Sequence, residues 1–148
     1  MSHPALEGEG LRRFDANWRV GTEYPARMGD FKRLVAWQEG SGLALDIHTA
    51  FGDRASREYP GLRAQILRAV ASIPSNLAEG CAKRSRRDLA RFAEMAYASA
   101  KEVECQLMLA HDARILSDEL FARLNARTDL VARLCFGLTR MRDQPTPH

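Results

Sequence analysis

Pro74 stands in the middle of an apolar stripe whose helical phase it leaves intact. Leu62, Ile66, Ala69 and Ile73 precede it at steps of three and four, and Leu77 continues the line beyond it. A proline inside a helix removes the N–H that would bond the carbonyl of Val70, and it crowds that oxygen. The chain must therefore break there or bend. The preserved phase favours one helix from about Gly61 to Gly80, bent at Ser72–Pro74. Ser72 and Ser75 are placed to bond the freed backbone groups or to face water. Gly80 suits the left-handed residue that closes a helix.

Three further stripes accompany it. From Phe31, apolar side chains recur at Leu34, Val35, Leu43, Ile47 and Phe51, with Trp37 beside them and Asp30 as N-cap. Gly40-Ser41-Gly42 interrupts this stripe at a cost of about 1 kcal/mol per glycine, which predicts a kinked or locally loosened first helix. Gly52 to Pro60 reads as a connection. Ser85, with Asp88 three residues on, resembles a capping box for a third helix carrying Leu89, Phe92, Ala96, Ala100, Val103, Leu107 and Ala110. Ala93, Ala96, Ala98 and Ala100 keep its middle narrow enough for a close neighbour. A fourth helix opens at Ser117 and carries Leu120, Leu124, Val131, Leu134, Leu138 and Met141, before Pro145 and Pro147.

No segment alternates apolar and polar residues as a half-buried strand does. The expected fold is therefore all-α, an antiparallel up-down-up-down four-helix bundle over residues 30–142. An N-terminal extension at 1–29 and a polar tail at 143–148 flank it. Gly8, Gly10, Gly21, Pro25 and Gly29 give the extension the composition of a mobile arm, although Phe14, Trp18 and Tyr24 offer apolar anchors.

A chain of 148 residues with 45% hydrophobic content can bury a core of its own. No apolar run approaches the roughly 20 residues that cross a bilayer. Met1 to Glu7 has neither the cationic start nor the apolar centre of a secretory signal. Cys81, Cys105 and Cys135 are odd in number and irregularly spaced, so they suggest neither a disulfide frame nor a zinc site. A reducing cytoplasm fits them. The net charge of +3 is unevenly spread. Residues 61–91 carry Arg63, Arg68, Lys83, Arg84, Arg86, Arg87 and Arg91 against Glu79 and Asp88, while the other segments are close to neutral.

Several blocks together resemble a known family. They are Phe31 to Gln38, Gly61 to Val70, Ser72-Ile73-Pro74-Ser75-Asn76-Leu77-Ala78-Glu79-Gly80, Arg84-Ser85, Phe92 and Glu102 to Leu107. The family comprises four-helix-bundle proteins encoded in intervening sequences of bacterial 23S ribosomal RNA genes. Related to it is the accessory variability determinant of diversity-generating retroelements. The resemblance covers about residues 31–140, and the Ile-Pro-Ser-Asn-x-Ala-Glu-Gly block is its specific part. It implies an antiparallel bundle, usually assembled as a homopentameric ring, with no established enzymatic activity. The accessory relatives imply binding to nucleic acid and to a reverse transcriptase. The chain departs from the family pattern at Gly40-Ser41-Gly42, where helix-forming residues are usual, and in the arm at 1–29, which has no counterpart.

Lys83, Arg84, Arg87 and Arg91 share about half of a helix surface at about 100° per residue, with Arg86 to the side. Five cations against one acid within residues 83–91 can neutralise several phosphates of RNA or DNA, giving salt-sensitive, sequence-blind affinity. The plainer reading is a solvated helix start whose arginines pair with Glu79, Asp88, Glu94 or a neighbouring subunit. Cations at a helix N-terminus also oppose its macrodipole. No aromatic residue interleaves the cluster, so a stacking platform for single strands is not supported. Asn76 and Glu79 lie one turn apart after the bend. They read either as polar contacts or, more simply, as a tie to backbone freed by Pro74 and an arginine partner across an interface. Phe31 and Trp37 are either core or a subunit seam.

His48 and His111 lack a second ligand at helical spacing. His111-Asp112 matches a dipeptide of metal phosphohydrolases without its partner residues. Glu94, Glu102 and Glu104 lack the Glu-x-x-His pairs of di-iron bundles. No glycine-rich phosphate loop, nucleophile elbow or Ser/His/Asp set is present in the sequence. The residues thus predict no catalytic group, no metal and no cofactor. They point to a non-enzymatic oligomeric module that presents a basic face to RNA or DNA. The alternative is a protein–protein adaptor that touches no nucleic acid.

Overall fold

The computed structural model describes residues 30–143; the arm at 1–29 and the tail from 144 onward lie outside the described residues. Among the described residues there are five α-helices: α1 (Val35–Ala50), α2 (Asp53–Glu58), α3 (Pro60–Ala82), α4 (Arg86–Asp112) and α5 (Asp118–Thr139). Short 3-10 turns at Phe31–Arg33 and Arg140–Asp143 flank them. No strand occurs among the described residues. The four long helices form the antiparallel bundle. α3 packs on α4, α4 on α5, and α1 on both α3 and α5, so α1 lies diagonally opposite α4. Connections of a few residues force neighbouring helices to run antiparallel.

The apolar stripes meet in one core. Leu43, Ile47, Phe51, Ile66, Val70, Ile73, Leu77, Val103, Leu107, Leu124 and Val131 are fully buried. Each contributes about 1.5–3 kcal/mol by leaving water. Ala93, Ala96 and Ala100 are buried along α4, which lets its neighbours approach closely. Ser117 caps α5 by accepting from the Leu120 N–H at 3.2 Å.

Four local expectations are corrected. Asp30 makes no side-chain cap; a 3-10 turn intervenes and Leu34 precedes α1. α1 runs unbroken through Gly40-Ser41-Gly42, because both glycines are sites of close approach. A β-carbon on Gly40 would lie 3.0 Å from Ile73 Cγ2, and one on Gly42 would lie 2.1 Å from Arg127 Nη2. The stretch from Gly52 to Pro60 is not a plain connection, since it contains α2 and Pro60 already opens α3 at its first turn.

The fourth correction concerns Gly80, which lies inside α3 rather than closing it. A β-carbon there would sit 2.8 Å from Phe92 Cβ and 3.2 Å from Leu89 Cδ1, so the glycine admits α4 against α3. Arg84, at φ 62, is the left-handed residue instead.

α3 continues through Pro74 as one helix. Ser75 donates its hydroxyl to the Ala71 carbonyl at 2.9 Å, Asn76 donates its amide to the Ser72 carbonyl at 2.8 Å, and Ser72 donates to Ala69 at 2.6 Å. These side chains bond the carbonyls around the turn that the proline disturbs.

Candidate nucleic-acid interface

The α3–α4 corner begins where α3 runs out at Ala82. Lys83 is right-handed and Arg84 left-handed, with their N–H groups held at 3.3 Å from the carbonyls of Gly80 and Cys81. Ser85 then caps α4. Its Oγ accepts the Asp88 N–H at 3.0 Å and donates to the Asp88 carboxylate at 2.7 Å. The carboxylate therefore holds the serine hydroxyl rather than closing a reciprocal capping box on the backbone.

This geometry lifts the cations outward. Lys83, Arg84, Arg87 and Arg91 are exposed, and Arg86 is half-buried to the side. The Arg91 guanidinium stands 5.3 Å from the centre of the Phe92 ring. No carboxylate among the described residues pairs with Lys83, Arg84, Arg87 or Arg91. The nearby acids are otherwise placed: Glu94 binds Arg142 at 2.5 Å, Asp88 holds Ser85, and Glu79 is exposed. Exposed positive charge thus accumulates at the positive end of a 27-residue helix.

Arg63 and Arg68 do not join it. Arg63 lies at the opposite end of α3, about 30 Å from Lys83, and its Nε donates to the Phe51 carbonyl at 2.7 Å. Four other cations do lie at the cationic end. The turn holding Lys32 and Arg33 packs against α3, and the turn holding Arg140 and Arg142 packs against α4. In an up-down-up-down bundle the start of the first helix and the end of the last fall beside the second connection. Topology, not local charge density, was the signal for these residues.

A family model described as 23S rRNA-intervening sequence protein matches residues 32–137. The chain belongs to this family. A crystal structure from Bacteroides thetaiotaomicron, described as a protein with unknown function from the S23 ribosomal protein family, shares the frame. Its TM-score is 0.66 at 22% identity, over 72% of this chain and 99% of that chain. At that identity the likeness shows the fold alone. No curated protein matches the chain.

The remaining candidate residues of this family member take plain positions. Phe31 and Trp37 meet edge to face with ring centres 5.0 Å apart, both half-buried against the core. His48 is exposed. His111 stacks on Phe121 at 4.2 Å and places Nε2 2.6 Å from Asp118 Oδ1, clasping the α4–α5 turn. No group of three or more His, Cys, Asp or Glu among the described residues could hold a metal ion, and none of the described helices is long and apolar enough to cross a membrane. All three cysteines are unpaired. Burial, reinforced by the charge of Asp30, pushes the Cys81 thiol up to about 11, and burial pushes Cys135 up to about 12. Both stay protonated at neutral pH and are poor nucleophiles.

Proposed function

We propose that this protein is a non-enzymatic, cytoplasmic nucleic-acid-binding module whose α3–α4 corner docks on the phosphate backbone of RNA or DNA. The observation that carries the reading is the set of exposed cations without carboxylate partners, Lys83, Arg84, Arg87 and Arg91, at the positive end of α4. In isolation this arrangement is self-repelling, since each cation opposes the helix dipole by about 0.3–1 kcal/mol. A bound phosphate reverses the sign of that interaction. Contacts of this kind select for charge and spacing rather than base sequence. The free thiols support a reducing compartment.

Fluorescence anisotropy with duplex RNA and duplex DNA at two salt concentrations tests this. Four neutralised phosphates predict roughly a hundredfold loss of affinity between 50 and 200 mM salt. Replacing Lys83, Arg84, Arg87 and Arg91 with alanine should remove most of the binding with little change in helicity. Absence of binding at low salt, or binding indifferent to the fourfold variant, would overturn the assignment.

A further inference from the structure

The run from Lys83 to Arg91 carries no stacking aromatic of its own, but the bundle brings two others together in the half of the molecule nearest that corner. Tyr97 of α4 and Phe136 of α5 meet with ring centres 5.5 Å apart and planes inclined at 51°. Tyr97 is half-buried, and Phe136 is 46% exposed. Packing thus accounts for part of each ring and leaves nearly half of Phe136 to solvent.

Each ring has a cation one turn further along its own helix or the turn that extends it. Lys101 Nζ stands 5.8 Å from the centre of the Tyr97 ring, and the Arg140 guanidinium stands 5.4 Å from that of Phe136. Because α4 and α5 run antiparallel, the two cations flank the ring pair from opposite sides, each about 6 Å from it along the helix axes. Arg140 lies on the side of the cationic corner. The acids of this face are mostly occupied: Glu94 is bound by Arg142, Glu104 by Lys101 and Asp129 by Arg133. Asp143 offsets Arg140 in number, so the face is close to neutral, unlike the corner. Phosphate attraction alone does not single it out. Aromatic surface with a cation to either side does.

We infer that Tyr97 and Phe136 form a stacking site for one unpaired nucleobase, on a strand of RNA or DNA whose backbone continues onto the Lys83–Arg91 corner. The inference rests on the phosphate-binding reading of that corner and adds to it a preference for strands with unpaired bases. Every base offers a π-face, so the site accepts a base without reading its identity. A seated base has a phosphate of its strand on each side, towards Lys101 and Arg140. Both cations are available to turn to them. The Lys101–Glu104 pair is exposed, at 2.8 Å, and an exposed cation–π contact is weak. A duplex keeps its bases stacked on one another and has none to offer the rings.

Fluorescence anisotropy with three probes of equal length tests this: a single-stranded oligoadenylate, the same sugar–phosphate backbone without bases, and a duplex. The oligoadenylate should bind more tightly than the abasic strand by about five- to a hundredfold, the range lost when a stacking aromatic is removed. Phe136→Leu keeps an apolar side chain and should erase that difference, whereas Phe136→Trp should preserve it. Neither variant should change duplex affinity or the dependence of binding on salt, since no phosphate contact is removed. Equal binding of the base-bearing and abasic strands overturns the inference and leaves the corner standing if the duplex still binds. Single-strand binding that depends on Phe136 without any duplex binding sustains the ring pair and removes the corner. No binding of any probe overturns both. A change of particle mass in Phe136→Leu, measured by light scattering, would make the rings a subunit contact and also overturn the inference.

Discussion

Gly42 on α1 and Arg127 on α5 occupy one space: a β-carbon on the glycine would lie 2.1 Å from the arginine Nη2. The guanidinium seated there bonds Asp46 at 2.5 Å and Glu39 at 3.4 Å, all three side chains being half-buried. A residue type that weakens helices is therefore what allows α1 to be tied to α5. Gly42→Ala gains about 1 kcal/mol of helix propensity but expels the guanidinium from two carboxylates that then lack a cation. A net loss of about 1–2 kcal/mol is expected from urea unfolding. In an Arg127→Met background the same substitution should become stabilising. A substitution with the same sign in both backgrounds would show that the glycine serves something else.

Gly80→Ala drives a methyl group into Phe92 Cβ and the Leu89 backbone, so α3 and α4 must separate. Overpacking costs about 1–3 kcal/mol, exceeding the propensity gained. Gly137 on α5 has nothing within 4 Å of the added carbon, and Gly137→Ala should stabilise by up to about 1 kcal/mol. Thermal unfolding of the two variants, moving in opposite directions, checks the contrast.

Arg84 and Arg114 both hold left-handed backbone, at φ 62 and φ 60. Arg114 closes α4: its N–H donates to the His111 carbonyl at 2.9 Å, while that of Ile115 donates to Ala110 at 2.8 Å, the arrangement that glycine usually serves. Replacing either arginine with glycine should stabilise by about 1 kcal/mol, since a β-carbon there costs about 1–2 kcal/mol. Only Arg84→Gly should weaken nucleic-acid binding, lowering the slope of log affinity against log salt by about one. Equal binding by both variants would remove Arg84 from the interface.

Cys105 alone is exposed, so an aromatic disulfide reagent should titrate one thiol in the native protein and three after unfolding. Raised thiol values also set a pH dependence. Between about 9 and 11–12 the folded chain retains protons that the unfolded chain has lost. The contribution of these thiols is complete below about 9 and declines as pH climbs through that window. Chemical unfolding at pH 8 and pH 10 should show the fall, and it should be smaller in Cys135→Ala.

The bundle was legible because helical phase is a local property: the stripes through Ile66, Val103 and Leu124 mark their inward faces without reference to any partner. The caps at Ser85 and Ser117 were legible for the same reason. Gly42 and Gly80 misled because their purpose is set by Arg127 and Phe92, side chains on other helices. The cationic corner was visible at Lys83 to Arg91 as a run of charge. Arg140 and Lys32 reach that end only through the alternation of helix direction. Met95 and Leu109 are as apolar as the core residues beside them in the chain, and only the closed bundle shows that they are turned outward.

Residues 30 and 143 both lie at the cationic end, because a bundle with an even number of alternating helices receives and releases its chain on one side. Cargo joined directly at residue 30 or residue 143 is consequently delivered at the end that carries Arg84 and Arg87, where it competes with or reinforces whatever docks there. The loop between α4 and α5, at the opposite pole, is the place to attach a reporter that must leave that surface clear.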